Sequence, residues 1–142
     1  LKVFIIAIVW TGTTVILPFF SSEIILSSLD SDKILYSISR FMFVIALIIP
    51  FEIRDLKLDA IYLKTLPQVL GVTQSKTLGV GLVVVSVVIL SNVINGTCVY
   101  LYIHVLLILL VIFSKRHNAF LYTVLLVESV PILWFLLKYA TT

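Results

Sequence analysis

Asp55 and Asp59, four residues apart in Phe51-Glu52-Ile53-Arg54-Asp55-Leu56-Lys57-Leu58-Asp59, are the residues of this chain best equipped for chemistry. On a helix, positions i and i+4 share a face, with about 5–6 Å between Cβ atoms. Two carboxylates so close repel each other unless a cation lies between them. Mg²⁺ suits that gap, because it prefers oxygen ligands in octahedral geometry and takes one or two protein carboxylates, leaving phosphate and water to complete its shell. Arg54 and Lys64 flank the pair, Arg as a planar fork and Lys as a point charge for phosphate oxygens. The loop thus holds the parts of a metal-diphosphate site, with Asp55 and Asp59 as candidate catalytic metal ligands and Lys64 and Arg54 as candidate substrate contacts. The plainer alternative is a solvated turn whose acids pair locally with Arg54 and Lys57.

The elements that must position this cluster are strongly apolar. Hydrophobic residues make up 61% of the chain and charged residues 12%, and the mean hydropathy of +1.23 lies far above that of a soluble domain. This composition excludes a soluble enzyme. It also excludes a nucleic-acid binder, since the basic residues gather at the ends of apolar stretches and form no stripe interleaved with exposed aromatics. A bilayer core of about 30 Å takes roughly 20 apolar residues per helix. Five stretches fit that need, at about 3–20, 34–53, 77–93, 97–113 and 119–138. Runs such as Leu82-Val83-Val84-Val85 do not alternate as barrel strands would, and a helix satisfies its own backbone in lipid. The expected fold is all-α, a polytopic transmembrane helical bundle of five spans in a single membrane domain, 1–142.

Basic residues orient the bundle. Arg54, Lys57, Lys64 and Lys76 fall between the second and third spans, Lys115 and Arg116 between the fourth and fifth, and Lys2 before the first. The positive-inside rule makes these places cytoplasmic, including the motif loop 54–76. Opposite lie Glu23, Asp30 and Asp32 and the uncharged connection Ser91 to Gly96. Within the motif loop, Thr65 can cap a short lid helix, Pro67 suits its first turn and Gly71 can end it. Pro18 and Pro50 stand near expected helix ends, while Pro131 predicts a kink in the last span.

Glu128 falls near the centre of that span, where a charged acid costs about 2.5–3.5 kcal/mol. At similar depth stand His104 and, further outward, Arg40, so a buried Glu128-His104-Arg40 polar cluster is expected, more as a structural contact than as a proton path. Phe41, Phe43, Tyr100, Tyr102, Trp134 and Phe135 could line a lipophilic tunnel or simply pack. The lone Cys98 excludes an internal disulfide. The chain begins with Leu1, and further sequence upstream is expected.

The run Ile53-Arg54-Asp55-Leu56-Lys57-Leu58-Asp59, followed by Leu63-Lys64-Thr65-Leu66-Pro67 and Leu70-Gly71, resembles the second aspartate-rich motif of the UbiA family of intramembrane prenyltransferases. Glu52 stands where that pattern carries Asn or Asp. Family members have nine helices with this motif after the sixth. Two spans before the motif and three after it make the chain resemble helices five to nine, over essentially its whole length. The resemblance implies transfer of a prenyl chain from a prenyl diphosphate to a lipophilic, often aromatic, acceptor, with Mg²⁺ drawing off pyrophosphate to leave an allylic cation. It implies Asp55 and Asp59 as metal ligands, Lys64 as a phosphate contact and Arg54 as a further one. The family's first aspartate-rich motif does not occur in these 142 residues, and Tyr62-Leu63 replaces the small residue that the pattern places before the Lys. The expectation is therefore that activity requires an N-terminal half. A second class of function suits the same loop: a non-catalytic membrane protein that binds lipids or anionic head groups through Arg54, Lys57 and Lys64.

Overall fold

The computed structural model describes residues 2–18, 31–56, 63–93, 98–115, 122 and 127–140. Among these residues every regular element is helical. Helix α1 (Lys2–Thr11) runs into a π-helical segment (Gly12–Ile16), followed by α2 (Ser31–Asp55), the short α3 (Leu66–Leu70), α4 (Val72–Val93), α5 (Cys98–Phe113) and α6 (Glu128–Ala140). Each expected apolar stretch is helical over its described part. Two helices, α2 with 25 residues and α4 with 22, are long and apolar enough to cross a membrane. At about 1.5 Å per residue they measure roughly 37 and 33 Å, against a hydrocarbon core of about 30 Å. Residues Lys2–Ile16 and Tyr100–Phe113 are apolar but shorter.

The bundle is built on α2, which packs along α4 on one side and α1 on the other. The face that α4 buries carries Ser75, Gly79, Val83, Ser86 and Leu90, a spacing of three and four that keeps them on one stripe. Small residues there let the backbones approach closely. A Cβ added at Gly79 would come within 2.8 Å of Ile49 Cδ1 and 3.2 Å of Val111 Cγ1, so no side chain fits between α2 and α5 at this level without displacing them.

Further along the seam the contact is polar. The hydroxyls of Ser39 and Ser86 lie 2.9 Å apart, and each is 3.0 Å from the other's carbonyl oxygen. His104 Nδ1 stands 2.7 Å from the Tyr100 carbonyl, which can only accept, so Nδ1 carries the proton and Nε2 is left as the acceptor for Ser86 Oγ at 3.3 Å. Three helices are thereby tied by buried polar groups that satisfy one another. Around them pack Phe43, Leu107, Val130 and Trp134.

Pro50 behaves differently from expectation. Helix α2 continues five residues beyond the buried Pro50, to Asp55, so the missing N–H falls inside the helix rather than at its end. Fully buried Ala46 lies one turn before it, at the carbonyl that loses its donor. Pro131 lies inside α6, four residues after the π-type residue Val127.

In the π segment the threonines take up carbonyls that the widened turn leaves under-satisfied. Thr13 Oγ1 donates to Val9 O at 2.9 Å and Thr14 Oγ1 to Trp10 O at 2.7 Å. The outward surface is apolar: Ile5, Ile8, Val88, Val105, Phe113 and Leu136 are all exposed.

Candidate functional site: an apolar groove with a charged mouth

Asp55 closes α2, and its carboxylate is engaged by its own neighbour. Arg54 Nε and Nη2 donate to Asp55 Oδ1 and Oδ2 at 2.5 and 2.8 Å, a bidentate pair in which both side chains are partly exposed. The Arg54 guanidinium also lies 5.6 Å from the Phe51 ring centroid. Asp59 and Lys57 are outside the described residues, so their place relative to Asp55 is not part of this geometry.

Lys64 is exposed and adopts a left-handed backbone, φ 46°, which costs a non-glycine residue about 1–2 kcal/mol. Extended Thr65 follows, and the chain turns into α3, which ends at Gly71 with φ 85° and the Gly71 N–H donating to Pro67 O at 3.1 Å. The expected short helix is present. Its cap, however, is not the Thr65 hydroxyl, which makes no hydrogen bond. Gln68 Oε1 accepts the Thr65 N–H at 3.1 Å, and Glu52 Oε2 accepts the Leu66 N–H at 3.0 Å. Glu52, only 2% exposed, thus anchors α3 to the end of α2. From the sequence Glu52 was legible only as a departure within the motif. The available signal was an acid inside the apolar run Ile48 to Ile53, which must find a donor when buried.

Beside this charged rim opens a groove between α1, α2 and α6. Its mouth is a cavity of about 180 Å³ lined by Lys2, Ile6, Ile48, Phe51, Glu52 and Asp55. Ile6, Ile48 and Phe51 are shared with a second cavity of about 460 Å³, whose further walls include Val44, Leu47, Val127, Glu128 and Arg40. Trp10, Arg40, Pro131 and Ile132 are shared in turn with a third cavity of about 420 Å³, closed by Thr14, Tyr36 and Trp134. The shared walls make one path from the Asp55 end to Arg40, apolar over most of its length.

At the far end, Arg40 and His104 meet the same rings without bonding to each other. The Arg40 guanidinium carbon lies 4.4 Å from the Trp134 ring centroid and 5.3 Å from that of Phe43. His104 is 5.1 Å from Phe43 and 5.4 Å from Trp134. Glu128 is exposed on the groove wall and, among the described residues, forms no ion pair with Arg40 and no hydrogen bond with His104. The three polar residues therefore do not form one hydrogen-bonded cluster. Of the aromatics, Phe43 and Trp134 are buried, Phe41 packs beside Val3 and Ala7, and Tyr102 is 77% exposed. The side chain of Phe135 is outside the described set.

No protein-family model, curated protein or solved structure matches this chain. The family resemblance thus rests on the motif residues themselves. Among the described residues no three His, Cys, Asp or Glu side chains come together as a metal site. Of the motif carboxylates described, Asp55 has both oxygens engaged by Arg54 and Glu52 accepts the Leu66 N–H, so the described donors do not make a magnesium site on their own.

Proposed function

We propose that this chain is an integral membrane helical bundle that binds a prenyl diphosphate, the prenyl tail in the groove and the diphosphate at its mouth, as the C-terminal half of a UbiA-like prenyltransferase. The observation that carries this reading is the groove itself. It begins beside Asp55 and Lys2, passes between Ile6, Val44, Leu47, Ile48 and Phe51, and offers apolar walls to an isoprenoid chain, whose burial is worth about 25 cal/mol per Å². Lys2 lines the mouth and Arg54 is paired to Asp55 beside it, so basic residues of the sign a polyanion needs stand at this end of the groove. The lengths of α2 and α4 and the apolar outward surface support a bilayer setting.

In the transfer this implies, the prenyl C1–O bond breaks and pyrophosphate departs with the electron pair. The acceptor then bonds to C1 and releases a proton. The resemblance assigns Mg²⁺ to Asp55 and Asp59, where it would neutralise the leaving group. Their part is to bind the tail, exclude water and gather positive charge at the diphosphate.

The Arg54–Asp55 pair favours a second reading, a lipid-binding protein without transferase activity, because a carboxylate held by its neighbour is a poorer metal ligand. Photocrosslinking tests the shared core of both readings. With full-chain protein in lipid nanodiscs, a diazirine-bearing geranylgeranyl diphosphate should label Ile6, Ile48 and Phe51 in preference to the outward-facing Val88 and Val105. Equal labelling of the two sets would exclude the groove as the binding site, and groove labelling without prenyl transfer to any lipophilic phenol would select the second reading.

A further inference from the structure

The geometry points to a second ligand site in this molecule: an anion subsite at Arg40, at the inner end of the groove, that holds the carboxylate of a long-chain monocarboxylate whose tail lies along α2. Its head-group end is distinct from the diphosphate end, since Arg40 is at the opposite end of the groove from Asp55, while its tail shares the Val44 and Leu47 walls with the proposed prenyl chain, so the two ligands would compete.

Four observations converge on it. Arg40 lies in the middle of the longest apolar helix, where a cation is expensive to keep unless it serves a partner. Its guanidinium lies over the rings of Trp134 and Phe43, which fix its plane but supply no acceptor, and Tyr36, on the same cavity wall, interacts with its charge. One of its terminal nitrogens, Nη1, is buried with no hydrogen-bond partner among the described residues, which is uncommon for a charged donor in a folded protein. And Arg40 lines both the 460 Å³ and the 420 Å³ cavities, so the space beside it is large enough for a ligand rather than a single water.

The chemistry of the walls selects the ligand. Among the described residues that line these two cavities, Arg40 is the cation and Glu128 the anion. A phosphate dianion would bring one more charge than Arg40 can neutralise and would be repelled by Glu128 about twice as strongly as a single charge. A carboxylate brings one charge, loses less on leaving water, and matches the planar fork with two parallel hydrogen bonds. The remaining surface, from Val44 and Leu47 to Pro131 and Ile132, is apolar and suits an alkyl tail. A neutral lipid would leave Arg40 as unpartnered as it now is.

The chain carries its own reporter. Its two tryptophans, Trp10 and Trp134, both line the Arg40 cavity, so energy transfer to cis-parinaric acid reports occupancy in full-chain protein held in nanodiscs. The acid should bind about tenfold or more tighter than its methyl ester, which measures partition into lipid alone. Arg40→Gln should bring the acid to the level of the ester, Arg40→Lys should keep part of the preference, and Lys115→Gln, an exposed charge outside the groove, should change nothing. Acid and ester binding alike to the native protein would overturn the proposal, a comparison that needs no variant to fold. So would Arg40→Gln protein of native helix content that binds the acid with native affinity. Displacement of the acid by dodecyl phosphate at lower concentration than by laurate would overturn the assignment to a carboxylate.

Discussion

Glu52 shows what a single side chain contributes to the mouth of the groove. Its buried carboxylate accepts the Leu66 N–H across fourteen residues of sequence and so fixes the lid helix to the end of α2. A hydrogen bond to a charged group is worth about 1.5–3 kcal/mol. In Glu52→Ala protein the amides of Leu66 to Leu70 should therefore exchange with solvent about tenfold faster or more, and native protection there would show that the anchor is not needed. Lys64 offers the opposite case. Its left-handed backbone costs a side chain about 1–2 kcal/mol, which glycine avoids, so Lys64→Gly should leave the thermal midpoint unchanged or raise it while weakening diphosphate binding. A fall of several degrees would contradict that account. The local half of this corner was legible in sequence, because Thr65, Pro67 and Gly71 mark a short helix by rules that act within one turn. The anchor was not, because nothing local pairs residue 52 with residue 66.

At the scale of elements, the seam between α2, α4 and α5 depends on one glycine. Gly79 meets Ile49 and Val111 at distances no larger residue can share, whereas nothing lies within 4 Å of a Cβ built on Gly81. Gly79→Leu should destabilise the bundle by about 3 kcal/mol or more through overpacking, and Gly81→Ala should be neutral or stabilising by up to about 1 kcal/mol through helix propensity. Equal thermal midpoints for the two variants would mean that α4 does not sit as described. The stripe Ser75, Gly79, Val83, Ser86 and Leu90 was not read from the sequence, because its small residues stand among Val and Leu and form no prominent small-residue motif. Which helices it faces was not readable, since that depends on how α2 and α5 close around it. Pro50 illustrates the same limit. Proline marks a helix end by default, yet here the packing of Ile49 and Ile53 holds the helix through it.

At the scale of the whole molecule, composition made the helical class and the apolar stretches legible, because hydropathy sums over many residues and tolerates local error. The groove was not legible. It arises where α1, α2 and α6 meet, from residues far apart in sequence, and the aromatics near Arg40 could equally have faced outward, as Tyr102 does. The proposed function turns on whether the mouth of that groove grips a diphosphate. The most direct measurement is equilibrium binding of geranylgeranyl diphosphate to the full chain in nanodiscs, with and without Mg²⁺, for the native protein and for Asp55→Asn combined with Asp59→Asn. The expected result is Mg²⁺-dependent binding that the double substitution weakens about tenfold or more and leaves indifferent to Mg²⁺. Binding that keeps its native strength and its Mg²⁺ dependence without the two carboxylates would contradict the assignment.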